Sequence, residues 1–189
     1  MASSNVYPGM TGDWVGVAFM AGSLNLHDEL TMVATMGSKV HCELLVGKGQ
    51  NALAYSSFSG LGGFVRSQSV HRAPQWTVLA LPVTDAKAVL ARALHLVSLQ
   101  LPYNSGDLWQ CCVKVMLPVE SELDCQRPDT WRHGVFCSQA CLLMLRRLAR
   151  EGLVAPPAPL RHALEGVHSR GCSPNTLFGI LTPACRRVF

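Results

Sequence analysis

The stretch VFCSQACLLMLRRLAR, Val135 to Arg150, sets a cysteine at the threshold of an apolar segment with helical character. Behind Cys137 come Ala140, Cys141, Leu142, Leu143, Met144, Leu145 and Leu148, and charge is confined to Arg146, Arg147 and Arg150. A helix start that is apolar almost all round is buried on most sides. A helix is therefore expected from about Ser138 to Glu151, with Gly152 as its C-terminal stop. A cysteine at such an N-terminus faces the positive end of the helix dipole and backbone N–H groups without helical partners. That setting favours the thiolate, and the same N–H groups suit an oxyanion during acyl transfer. Cysteine is also among the most buried residue types. Taken alone, Cys137 reads as a packed residue at a strand-to-helix junction.

The rest of the chain is that of a globular domain. It has 189 residues, 49% of them hydrophobic and only 15% charged, enough for one domain with a proper core. A mean hydropathy of +0.21 asks whether a membrane span is present. The longest uncharged run, Gly49 to Val65 apart from its ends, is broken by Gly, Ser, Asn and Gln, and Trp14 to Leu26 is too short and carries two glycines. The N-terminal MASSNVYPGM has neither a basic nor an apolar signal region, so an intracellular, cytoplasmic site is expected. Net charge is +4, with basic residues gathered toward the carboxyl end. So modest an excess reads as a solvated face, with no nucleic-acid partner expected and no feature that argues for membrane-surface contact. The eight cysteines include no CxxC pair, which argues for free thiols and against structural zinc or any other cofactor.

Along the chain, strands are expected at Asp13–Phe19, Val40–Val46, Leu53–Phe58, Gly63–Ser67 and Trp76–Val83, with residues 1–11 a flexible N-terminus. Thr84-Asp85 caps a helix to about Gln100, ended by Pro102. Tyr103-Asn-Ser-Gly106 is a turn leading into a short helix or irregular piece through Trp109 and Cys112. Pro118–Asp129 reads as a loop, Ala155–Pro159 as a rigid connector, and Leu160–Val167 as a short helix. Gly22–Ser38 is a connection of undefined structure. Strands come mostly first and helices after, so a single α+β domain over 1–189 is expected.

One short segment offers Cys137 a partner. In KVHCELLVG, Lys39 to Gly47, His41 and Glu43 lie two apart on a strand and project from one face, while Cys42 points to the other. A thiol nucleophile needs an imidazole to take its proton and a polar group to orient that imidazole. With FCS at a helix start and HxE on a preceding strand, the chain resembles the circularly permuted branch of the NlpC/P60 superfamily. These are papain-like thiol hydrolases that include the bacterial YiiX-like proteins and poxviral members. GDWVGVAF from Gly12 resembles the opening strand of that branch and VHCELLVG its His strand. GGFVR and WTVLALPV are similar to the following strands, LPYNSGDLW to the stretch before the nucleophile, VFCSQACLLML to the Cys helix, and SPNTLF from Ser173 to the closing segment.

The resemblance implies an antiparallel sheet packed against a central helix that carries the nucleophile. It also implies a catalytic triad of Cys137, His41 as base and Glu43 as orienting member. The expected activity is a cysteine hydrolase, a peptidase, amidase or acyl hydrolase working through an acyl-thioester. Its substrates would be peptides, isopeptides, amidated groups or acyl esters, and a viral origin fits the branch. Tyr103, Asn104 and His133 are candidate substrate contacts. His133 and His71 are alternative imidazoles, His133 in a polar approach loop and His71 in a turn before a proline. Cys141, inside the helix, reads as core. The alternative class is a catalytically silent papain-like protein that binds partners through its basic carboxyl-terminal region.

Overall fold

The computed structural model describes residues 5–22, 37–58, 63–106 and 122–189, and the architecture below is that of these residues. The fold is α+β. Seven strands form one antiparallel sheet: β1 Asn5–Val6, β2 Asp13–Ala21, β3 Lys39–Lys48, β4 Asn51–Phe58, β5 Gly63–Arg66, β6 Trp76–Pro82 and β7 Arg186–Arg187. Their spatial order is β1-β4-β3-β2-β6-β7, with β5 also paired to β4. Four α-helices are described: α1 Ala86–Ser98, α2 Cys137–Arg150, α3 Ala158–Gly166 and α4 Pro174–Leu181.

The five expected strands and the helices around Ala88, Cys141 and Leu164 are all present, with ends moved by a few residues. Asp85 caps α1 as expected, its carboxylate accepting from the Lys87 and Ala88 backbone N–H groups. Gly152 follows α2 with a φ of +72°, the left-handed stop that glycine allows. Two parts differ from expectation. Residues 5–11 do not form a loose terminus: β1 pairs with β4, and Tyr7 and Met10 are buried. The connector ends early, because Pro157 already caps α3. The residues expected as an irregular piece through Trp109 and Cys112, most of the 22–38 connection and part of the 118–129 loop lie outside the described residues.

Alternation along the strands sorts side chains onto two faces. Val15, Val17, Phe19, Cys42, Leu44, Val46, Leu79 and Leu81 pack with α1, α2 and α4, and residues 137–146 of α2 are all buried. Trp14, Ala18, Met20, Leu45, Val78 and Ala80 point the other way, where Tyr7, Met10, Val188 and Phe189 cover them. Gly47 and Trp14 are paired neighbours; a Cβ at Gly47 would sit 2.0 Å from the Trp14 ring, so the indole lies directly on the backbone there.

The part of the expected basic carboxyl-terminal face that lies on α2 is paired with acidic side chains. Arg146 is 3% exposed; its guanidinium donates to the Leu164, Glu165 and Val167 carbonyls and pairs with Glu122 at 2.6 Å. It thus satisfies carbonyls that the end of α3 leaves without helical donors. Arg147 and Arg92 pair with Glu151, and Arg150 with Glu165.

The two kinds of pair should behave differently. Arg146→Ala strips donors from buried carbonyls and is expected to lower the unfolding free energy in urea by roughly 2–4 kcal/mol. Arg150→Ala breaks an exposed pair and should change it by less than about 1 kcal/mol.

Candidate functional site

The site sits where the sheet forks. Pairing between β3 and β4 ends at Leu44 and Tyr55, after which β4 continues against β5. Beyond that point the Ser56 hydroxyl donates to the Cys42 carbonyl at 2.7 Å, and the Ser57 hydroxyl donates to the Val135 carbonyl at 2.6 Å. The backbone groups that the sheet no longer pairs are thus met by side chains, and one of these bonds draws the approach to α2 into the fork. A β-bulge lies at the same end: Met20 faces His41 and Ala21 faces Lys39, leaving Val40 as the extra residue. Bulges re-aim side chains, and here Lys39 is turned toward Phe178 of α4, its ammonium 4.7 Å from the ring centroid.

His41 and Glu43 project from one face of β3, as expected, and Cys42 from the other. Glu43 is completely buried; its Oε1 lies 3.5 Å from His41 Nε2, and its Oε2 lies 3.0 Å from His71 Nε2. The Ser69 hydroxyl donates to Oε1 at 2.6 Å, and Tyr7 Oη lies 2.5 Å from His71 Nδ1. Aromatic rings enclose the group: Phe58 at 4.8 Å and Trp76 at 6.4 Å from the His41 ring, and Trp76 at 4.4 Å from the His71 ring.

Cys137 opens α2 and is 3% exposed. Its approach is held on several sides. Val135 N–H donates to the Pro102 carbonyl at 3.1 Å, Asn104 N–H donates to the Val135 carbonyl at 3.4 Å, and Tyr103 forms a bridge with Val135. Gly134 takes a φ of +81°, and a Cβ there would lie 2.0 Å from the Pro102 carbonyl oxygen. The Gln139 side chain accepts from the Phe136 N–H at 3.3 Å, and the Ser138 hydroxyl donates to the Cys172 carbonyl at 2.7 Å, which anchors the first turn.

The thiol and the imidazole perturb one another. Hydrogen bonding with Cys42 is the largest influence on Cys137; with the charge and hydrogen bonding of His41 it overcomes burial and holds the thiol well below its ordinary range. Burial disfavours charge on His41, but Cys137 and Glu43 outweigh it and push the imidazole up to about 10. Burial works against ionisation of Glu43, yet hydrogen bonds and charge from the two histidines keep it far below the usual carboxylate range. Cys42, raised by burial, stays a thiol, and its sulfur lies 3.9 Å from that of Cys141. Such a set favours a thiolate–imidazolium pair beside a fixed carboxylate, the reactive form of a thiol nucleophile.

The expected residues are therefore distributed unevenly. Cys137, His41 and Glu43 are brought together, and Tyr103 and Asn104 flank the approach to Cys137. His133 is exposed and lines a hollow of about 430 Å³ with Glu122, Asp124, Thr130, Arg132 and Arg170, which none of the three lines. His71, expected in a turn, is instead a buried member of the network. Sequence alone offers His71 only as an alternative base in a turn, and does not place Tyr7 or Ser69 in the network. The alternation of Ser67, Ser69 and His71 against exposed Gln68 and Val70 was the signal for Ser69 and His71. Among the described residues, no group of three or more His, Cys, Asp and Glu side chains is arranged to hold a metal ion, and no helix is long and apolar enough to cross a membrane. No protein family model, curated protein or solved structure matches the chain.

The shifts set a pH signature for stability. The raised His41 contributes stability that is complete below its ordinary 6.5 and is lost as pH climbs through about 10. The depressed Cys137 contributes stability present above its ordinary 9.0 and lost as pH falls. Between 6.5 and 9.0 the two slopes cancel, because folded and unfolded chains each hold one proton on the pair. The stability difference between the protein and a Cys137→Ser/His41→Gln variant should be flat in that window. It should shrink on both sides, as followed by chemical denaturation at a series of pH values.

Proposed function

We propose that the protein is a cysteine hydrolase that cleaves an amide, peptide, isopeptide or acyl-ester bond through Cys137, His41 and Glu43. The observation that carries this reading is the fully buried Glu43 set against an imidazole that is itself coupled to a thiol at a helix start. Burying a carboxylate at this depth is costly, and an arrangement that orients an imidazole is a chemical use for it. The order of elements, a His-bearing strand before a Cys-bearing helix, supports a circularly permuted papain-like NlpC/P60 fold. That resemblance also supports the choice among reaction classes, since fold alone does not select one.

The reaction would run by acyl transfer. The Cys137 thiolate attacks a carbonyl carbon, and the oxygen gains negative charge near the N-terminal end of α2, where helix N–H groups favour an anion. The imidazolium of His41 gives its proton to the departing amine or alcohol, leaving an acyl-thioester on Cys137. Neutral His41 then takes a proton from water as it attacks, and the acid product leaves. Tyr103 and Asn104, beside the approach to Cys137, are suited to contact the acyl side of a substrate.

Incubation with a panel of activated esters and peptide amides, followed by intact mass spectrometry, should trap an adduct on Cys137 that hydroxylamine releases. Cys137→Ala should abolish both adduct and turnover. His41→Ala should slow acylation by roughly 10²–10⁴-fold, the range expected for loss of a general base. An absence of adducts and turnover across both substrate classes would overturn the reading.

A further inference from the structure

We propose that Tyr7 and His71 are positioning residues for this centre. Together they hold Glu43 as a carboxylate that only accepts hydrogen bonds, and so set which nitrogen of His41 is left for Cys137. The inference rests on the reading of Cys137 and His41 as the reacting pair, and adds to it a second imidazole and a phenol that never touch substrate.

The argument follows the protons outward from Glu43. An ionised carboxylate has no hydrogen to donate, so each neighbour within reach must present one. His71 Nε2, 3.0 Å from Oε2, therefore carries its hydrogen, as does the Ser69 hydroxyl 2.6 Å from Oε1. On the far side of the His71 ring, Nδ1 lies 2.5 Å from Tyr7 Oη. Burial, with the nearby Glu43 charge, pushes the Tyr7 phenol up, so it keeps a proton with which to meet the His71 ring at Nδ1. His71 is thereby fixed between the phenol on one side and the carboxylate on the other, with an N–H at Nε2.

The same carboxylate then orders His41. Its Nε2 lies 3.5 Å from Oε1, in ion-pair range though not in hydrogen-bonding geometry, so the carboxylate favours a hydrogen at Nε2 and leaves Nδ1 as the nitrogen turned away from it. Activation of Cys137 breaks its S–H bond and forms an Nδ1–H bond on His41, with Glu43 balancing the new imidazolium. Were Oε2 to lose the His71 donor, a buried carboxylate would be one hydrogen bond short and would bind a proton more readily. A protonated Glu43 would donate to His41 Nε2, and the ring would carry its hydrogen on the wrong nitrogen. Among the described residues, the titratable groups facing this centre are Tyr7 from the N-terminal segment, His71 from the segment after β5, His41 and Cys42 from β3, and Cys137 from α2. β6 contributes the Trp76 ring, and the C-terminal segment stacks the Phe189 ring on Tyr7.

The experiment is the pH dependence of Cys137 alkylation by iodoacetamide, read by peptide mass spectrometry, with thermal melting as a control for folding. In the unmodified chain, Cys137 should alkylate well below the ordinary thiol range, and His41→Ala should abolish this. Tyr7→Phe, which keeps the ring and removes one O–H, should raise the apparent thiol pKa, lowering alkylation at pH 6 about tenfold. His71→Leu should do so further, and His71→Gln, which restores an N–H toward Glu43, should recover part of the loss. If Cys137 is not activated in the unmodified chain, the reading of the reacting pair fails, and this inference with it. If activation depends on His41 but is unchanged in folded Tyr7→Phe and His71→Leu, the positioning role alone is overturned. Where His71→Leu does not fold, ¹⁵N-histidine spectra of the unmodified chain decide: an Nε2 of His71 without a hydrogen overturns the assignment.

Discussion

A carboxylate with no exposed surface at the middle of a sheet must find in the protein the hydrogen bonds that water would otherwise supply. Glu43 finds them in His71 and Ser69, with the His41 ring nearby in ion-pair range. The fold around it follows from that demand. The segment after β5 runs so that Ser69 and His71 reach one strand face, and the N-terminal segment brings Tyr7 down onto His71. Removing any one donor leaves a charge whose solvation the rest of the structure was arranged to replace.

The opposite face of the sheet meets a different demand. Helix α2 is buried through its first ten residues, most of them apolar, and the strand beneath it presents Cys42, Leu44 and Val46 to it. Packing there orients the helix so that its first turn meets the fork between β3 and β4, with Ser57 tying down Val135. The polar network and the apolar core lie on opposite sides of β3 and meet at the fork. Cys42, on the core side, and His41, on the polar side, both act on Cys137.

Much of this architecture was legible in the residues. Alternation and β-branched content marked β2 through β6, Asp85 marked the start of α1, and the apolar run from Ala140 to Leu145 marked α2. The two-residue spacing of His41 and Glu43 placed them on one face. What escaped notice lacks a local pattern. β1 and β7 are two residues each and exist only through pairing with distant strands. Tyr7 is buried by Trp14 and by residues as distant as His71 and Phe189, and nothing in VYPGM announces them. His71 sits in an irregular stretch before Pro74, where periodicity has no purchase, and only the Ser-x-Ser-x-His alternation hinted at an inward face. The arginines of α2 read as a basic surface because their acidic partners, Glu122 and Glu165, come from other segments.

Under the function proposed above, Gly134 carries a consequence for recognition. Its backbone lies so close to the Pro102 carbonyl that no side chain fits between them. One wall of the approach to Cys137 is thus made of main chain pressed on main chain. Side-chain walls adapt to a guest by changing rotamer, whereas this one has none to change. Selection on that side would act through shape set at folding, and variation in what is accepted would have to come from the opposite rim.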